Sequence, residues 1–248
     1  MQNIKRIKLL IGIAFIIIFI STLLLLIYRG TIRPNRLLVS KKYSKGVDLS
    51  HYQGDVNMEA LAKQEIDFIY VKATEGSDFV DDHYANNNKN AMDAGLLTGA
   101  YHFFSFDSEG VTQAEHFIKT IGNQKGKLIP AVDVEYYGNK RKNPPDVQDV
   151  QTSLQKCLDT LEEEYRHKPV IYTTIPFYNK YIRGNFEEYP LWIRNVYFPA
   201  NIFPGKHWTF WQYDDKTTWD AYQGGDRYID VNVFHGNRLK LEQDMVVQ

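Results

Sequence analysis

Leu128-Ile129-Pro130-Ala131-Val132-Asp133-Val134-Glu135 is an apolar, β-branched run that closes on two carboxylates with one residue between them. Such a run, without polar alternation, reads as a strand buried on both faces. Residues two apart on a strand point to the same side, about 6.6 Å apart along the backbone. A carboxylate held among apolar neighbours is costly to ionise unless it is paired, hydrogen-bonded or protonated. In a β/α barrel the C-terminal strand ends form the active face, so a buried strand delivering two acids at its end fits that architecture.

Seven further runs share this character: 46–50 (GVDLS), 67–74 (DFIYVKAT), 97–104 (LTGAYHFF), 169–174 (PVIYTT), 190–196 (PLWIRNV), 207–213 (HWTFWQY) and 229–234 (IDVNVF). Helical periodicity falls at 57–65, 82–94, 109–122 and 146–166, and a short helix is expected after Pro176. In the clearest of these, Val147, Val150, Leu154, Cys157, Leu158, Leu161 and Tyr165 build one apolar stripe, and Asn143 before Pro144 is expected to cap it. Strand–helix alternation predicts parallel strands covered by helices, an α/β chain on a TIM-like barrel of eight strands. An open doubly wound sheet is the competing arrangement, but no Gly-rich phosphate or dinucleotide loop supports it.

Leu9 to Tyr28 is an uncharged apolar run (LLIGIAFIIIFISTLLLLIY). At about 1.5 Å per residue it spans roughly 30 Å, the thickness of a bilayer's hydrocarbon core. Lys5, Arg6 and Lys8 precede it, and no convincing cleavage site follows it. The expected organisation is a cytoplasmic n-region over 1–8, a transmembrane signal anchor over 9–28, a basic linker over 29–45 able to lie on anionic headgroups, and a catalytic domain over 46–248. Residues 1–45 carry nine Lys and Arg and no acid, whereas the remainder carries 20 basic and 30 acidic side chains. A globular part this acidic is a poor nucleic-acid binder. By charge count alone the C-terminal flank of the span is the more positive, which favours a cytoplasmic domain. The domain is nonetheless expected on the extracytoplasmic side. The single cysteine, Cys157, excludes an intrachain disulfide and a Cys-based metal site.

Asp48 lies near the end of the first strand run, Asp133 and Glu135 close the fourth, and Asp230 sits on the last. Neighbouring carboxylates push their pKa values apart, so that one stays ionised while the other holds a proton near neutral pH. Cleaving a glycosidic bond needs that division: an acid for the leaving oxygen, and an anion or nucleophile for the cationic sugar centre. Spacing alone does not choose between retention and inversion. Tyr101, Trp192, Trp211 and Tyr213 fall on or near strand ends, where rings can stack on sugar faces or fill the core. The seven histidines show no metal-binding spacing, and His102 is as readily structural as cleft-lining. Ser50 and Ser105 lack a nucleophile elbow.

Several of these motifs, in order, resemble glycoside hydrolase family 25, the Chalaropsis-type lysozymes. They are Gly46-Val47-Asp48-Leu49-Ser50 with Tyr52-Gln53-Gly54, Phe68 to Gly76, Gly99-Ala100-Tyr101-His102-Phe103, and Pro130 to Glu135. Leu191-Trp192-Ile193, Trp211-Gln212-Tyr213 and Ile229-Asp230-Val231-Asn232 continue the series. The resemblance covers about 46–236. It implies a modified barrel of eight strands and about five helices that cleaves the β-1,4 bond between N-acetylmuramic acid and N-acetylglucosamine in peptidoglycan, without metal or organic cofactor. By that pattern Glu135 is the general acid and Asp133 orients the N-acetyl group or stabilises an oxazolinium-like intermediate. Asp48 and Asp230 complete an acidic cleft that Tyr101 and Trp192 help to line.

One departure stands out: Arg194-Asn195 follows Trp192-Ile193 where the family usually has Ala and Gln. Arg194 can pair with a carboxylate and lower its pKa, or touch the lactyl acid of muramate. The alternatives are a catalytically silent module that binds cell-wall glycan, and a chitinase-like glycosidase. The latter is expected to carry alternating aspartates where Ala131-Val132 stands.

Overall fold

The structure, a computed structural model, describes residues 2–200, 208–222 and 224–248. Nine strands form one sheet: β1 (Ser44–Leu49), β2 (Phe68–Glu75), β3 (Phe79–Val80), β4 (Leu97–Phe103), β5 (Ala131–Asp133), β6 (Val170–Thr174), β7 (Leu191–Arg194), β8 (Phe210–Thr217) and β9 (Ile229–Phe234). All but β3 close into a barrel in the order β1-β2-β4-β5-β6-β7-β8-β9, with β9 pairing back onto β1. The short β3 forms an arm on β2. The expected eight-stranded α/β barrel is therefore present. His207, the expected start of the seventh run, lies outside the described residues.

The strand direction differs from expectation in one place. β9 runs antiparallel to both β8 and β1. A parallel link needs a crossover of a dozen or more residues, usually a helix, and the short stretch between Thr217 and Ile229, without a helix among its described residues, does not provide one. The reversal moves the start of β9 to the end of the barrel where the other strands finish.

Two cores follow from side-chain alternation. Phe68, Tyr70, Trp192, Phe210 and Phe234 fill the barrel interior. Small residues face these rings: a Cβ added at Gly99 would lie 2.4 Å from the Tyr70 ring, and one at Gly46 would lie 2.5 Å from the Phe68 ring. The outward residues Val47, Ile69, Val71 and Ile171 pack under helices. These helices are α3 (Met58–Ala62), α4 (Tyr84–Asp93), α5 (Gly110–Ile121) and α6 (Val147–Tyr165). After β6 come a helical turn, α7 (Ile175–Phe177), and a π turn over Tyr178–Ile182. The last helix, α8 (Arg238–Met245), was not anticipated; its Leu241 and Met245 join the interior core, and the Met245 carbonyl accepts from Ile129 N at 2.8 Å.

Helix α6 is capped by Asp146, not Asn143: the Asp146 carboxylate accepts from the Gln148 and Asp149 amides. Pro144 is itself followed by a proline, which steers residue 144 away from helical backbone and delays the start. The carboxylate then satisfies orphan N–H groups and complements the helix dipole.

Before the barrel stand α1 (Gln2–Tyr28) and a single turn, α2 (Asn35–Leu38). Part of the expected linker docks on β8. Asn35, fully buried, donates through Nδ2 to the carbonyls of Asn195 at 2.9 Å and Tyr213 at 3.3 Å. Arg33 and Arg36 pair with Asp214 and Asp215, carboxylates at the end of β8 that need counter-charge.

Candidate active site

At the end of the barrel where the parallel strands finish, a cleft of about 340 Å³ is lined by Asp48, Asp133, Glu135 and Asp230, with Tyr101, Tyr172 and Trp192. Four separate pieces of chain supply the acids. Asp48 occupies an inward position of β1, between the outward Val47 and Leu49. Asp133 ends β5, and Glu135 continues the same inward phase beyond it. Asp230 reaches this end because β9 is reversed; it is the register partner of Asp48.

The carboxylates differ in support. Asp48 Oδ2 accepts from Asn232 Nδ2 at 2.7 Å and Gln212 Nε2 at 3.1 Å. Gln212 Oε1 accepts in turn from the Tyr172 hydroxyl at 3.0 Å, and Asn232 Oδ1 accepts from Trp192 Nε1 at 2.8 Å. Burial nevertheless pushes Asp48 up to about 6, against the pull of these donors and of Arg194. Asp133 is buried, and its Oδ1 has no hydrogen-bond partner in the structure. Burial, followed by the charges of Glu135 and Asp48, holds it well above the usual carboxylate range. Burial likewise raises Asp230, with Asp48 adding to the effect, and raises Glu135, where Arg194 opposes it. Carboxyls kept neutral toward neutral pH are available as proton donors.

Opposite these acids, Lys72 lines the cleft and pairs with Glu75 at 2.6 Å. Among the described residues no group of three or more His, Cys, Asp or Glu side chains is arranged to hold a metal ion. The arrangement can therefore bind a neutral or cationic segment of ligand and move protons at its acid groups.

Known proteins place this geometry. The family model described as glycosyl hydrolases family 25 matches residues 47–221. The chain belongs to that family. It is similar to a solved family 25 glycosyl hydrolase from Bacillus anthracis, with 42% identity and a TM-score of 0.78 over 83% of this chain and 95% of that one. It is 30% identical to lysozyme M1 of Streptomyces globisporus over 79% of this chain and 69% of the relative. An uncharacterized protein of Escherichia coli K12, YegX, is 31% identical over 79% of this chain and 71% of its own length.

In this family 25 glycoside hydrolase, not every expected contact residue reaches the cleft. Trp211 and Tyr213 are corrected: they belong to the outer core, while Gln212 between them turns inward to Asp48. Alternation along β8 is the reason; Trp211 Nε1 donates to the Asn195 carbonyl at 2.9 Å. Tyr101 does line the cleft. Trp192 lines it only as a floor, being 1% exposed and tied to Asn232. Arg194 stands beside the cleft and pairs with Asp215 at 2.5 Å. His102 is structural: Thr74 and Gln113 bond its ring, and burial lowers it to about 4. Gln212, Asn232, Tyr172 and Lys72 were not singled out from sequence, although each occupies an inward position of a strand.

Proposed function

We propose that this family 25 hydrolase is a lysozyme that cleaves the β-1,4 bond between N-acetylmuramic acid and N-acetylglucosamine in peptidoglycan, with Glu135 as general acid. The observation that carries the reading is the convergence of Asp48, Asp133, Glu135 and Asp230 on one cleft, in a chain similar to a Streptomyces lysozyme. Glu135, like Asp48 and Asp230, is partly exposed in the cleft, whereas Asp133 is buried, and burial shifts the Glu135 carboxyl toward its protonated form. It donates that proton to the glycosidic oxygen as the bond to the anomeric carbon breaks. The deeper Asp133 has an unpaired, buried oxygen that suits it to accept from the N–H of the sugar's N-acetyl group. Holding that amide lets its carbonyl oxygen attack the anomeric carbon as the leaving oxygen departs. Water then attacks the same carbon, gives its proton to Glu135, and regenerates the acetamide. Asp48, held by Asn232 and Gln212, is the wall carboxylate suited to stand ionised near the cationic sugar centre, and Asp230 lies opposite it.

The anchor belongs to the same proposal. Ile4–Tyr28 is long and apolar enough to cross a membrane. It supports a signal anchor with residues 1–8 in the cytoplasm and the catalytic domain, 46–248, against the cell wall. The test is release of new reducing ends from purified peptidoglycan by the full chain in detergent, beside Glu135→Gln. Fragments ending in N-acetylmuramic acid, lost with Glu135→Gln, support the lysozyme; glycan binding without release would move the reading to a silent module.

A further inference from the structure

One carboxylate joins the segment next to the membrane helix to the catalytic cleft. Asp215 Oδ1 accepts from Arg33 Nη2, and its other oxygen, Oδ2, accepts from Arg194 Nη2 at 2.5 Å. Arg33 lies between α1 and α2 and is 7% exposed. Its Nε stands 3.7 Å from Asp214 Oδ1, and Arg36 pairs with the second oxygen of Asp214. Two buried hydrogen bonds from Asn35 to the backbone beside β7 and β8 fix the same turn. The far end of this ladder, Arg194, stands on β7 two residues beyond the cleft-lining Trp192 and is the register partner of Gln212, which donates to Asp48; its charge opposes the rise of Glu135, Asp48 and Asp230.

We propose that the anchor-proximal segment is a positioning element of the active site: Arg33, acting through Asp215, sets how closely Arg194 approaches the cleft carboxylates. The proposal rests on Glu135 being the general acid. Arg33 neutralises Asp215 from one side, so Asp215 draws on Arg194 only partly. Without Arg33, the whole charge of Asp215 pulls Arg194 outward and leaves Glu135 less well countered. Without the Asp215 charge, Arg194 turns toward Glu135. The other titratable groups lining the cleft with Glu135 are Asp48 on β1, Tyr52 after it, Lys72 with its partner Glu75 on β2, Tyr101 on β4, Asp133 on β5, Tyr137 after it, Tyr172 on β6, and Asp226 and Asp230 before and on β9. Neither substitution removes any of them.

The experiment uses the full chain in detergent, with pH–rate profiles on peptidoglycan and a carbon-13 NMR titration of the Glu135 carboxyl. Arg33→Ala should move the alkaline limb and the Glu135 titration to higher pH, and Asp215→Asn should move both to lower pH, each by on the order of half a pH unit. Arg33→Lys should restore most of the wild-type profile. In an Arg194→Gln background both shifts should vanish. Shifts that persist there would assign the effect to charge acting through space and overturn the relay, as would unmoved titrations in folded Arg33→Ala and Asp215→Asn. If wild type releases no reducing ends, the lysozyme reading fails, while the NMR titration still decides the relay.

Discussion

Asp48 on β1 and Asp230 on β9 stand directly opposite each other across an antiparallel pair. Opposed residues share one side of a sheet, so the two carboxylates meet in the cleft and disfavour each other's ionisation. Asp48 has the Asn232 and Gln212 donors and is pushed up to about 6, whereas Asp230 is held well above the ordinary range. A group whose pKa is raised on folding adds stability below its unfolded pKa and loses it as pH rises through the folded value. For Asp48 the window runs from the ordinary aspartate value of 3.8 to about 6; the change is worth about 3 kcal/mol. The melting temperature should therefore fall as pH rises from 4 through 6 and beyond. Asp230→Asn, which removes a raised acid and relieves Asp48, should flatten that slope in thermal unfolding. An unchanged slope would sink this account.

Glu135→Gln separates catalysis from stability. Loss of a general acid should lower the rate by about 10²–10⁴-fold. Burial disfavours the ionised carboxylate at this position, so the neutral amide should leave the melting temperature at pH 7 equal to or above that of wild type. Rates of reducing-end release and calorimetry on the same preparation check both halves. A stability loss parallel to the rate loss would mean that Glu135 is structural.

Activity itself should fall on the alkaline side as Glu135 gives up its proton, and Arg194→Gln should move that limb upward, because Arg194 opposes the rise in the Glu135 pKa. The pH dependence of kcat/KM reports the free enzyme. A limb that stays in place in Arg194→Gln would show that Arg194 does not face the working acid.

The barrel and its acids were legible because both are written in local pattern: buried runs at regular intervals, with carboxylates at their ends. What was not legible depended on pairing. The direction of β9 is set by a connection too short for a crossover, and only that reversal explains why Asp230, near the beginning of its strand, meets acids at the ends of others. Trp211 and Tyr213 were misplaced because a strand-end aromatic reads the same whether it faces inward or outward; the register that turns Gln212 inward decides the matter. The pairing of the basic residues 33 and 36 was not legible because their partners, Asp215 and Asp214, lie about 180 positions away.

Gly110 is required by a close approach of α5 to α6. A Cβ there would stand 1.8 Å from the Ser153 carbonyl oxygen, a backbone atom that cannot rotate away. Gly110→Ala should cost several kcal/mol by forcing the helices apart. Thr112→Ala, two residues along on the exposed face, should stay within about 0.5 kcal/mol. Urea unfolding of the two variants gives the comparison, and equal midpoints would show that the interface can yield.

Asn232 is the hinge of the network beneath the cleft: fully buried, it donates to Asp48 and accepts from Trp192. Asn232→Leu leaves the indole N–H unpaired and strips Asp48 of its shorter hydrogen bond. An unsatisfied buried group costs about 1–3 kcal/mol, so the variant should lose on the order of 3 kcal/mol. Asn232→Asp keeps an acceptor for Trp192 but sets another carboxylate beside Asp48. It should hold more of its stability at pH 4 than at pH 8, where the added acid ionises against its neighbour. Thermal unfolding at the two pH values, with indole fluorescence for the Trp192 environment, distinguishes lost hydrogen bonding from added charge. A loss in Asn232→Asp that is equal at both pH values would show that packing, not the carboxylate array, governs this position.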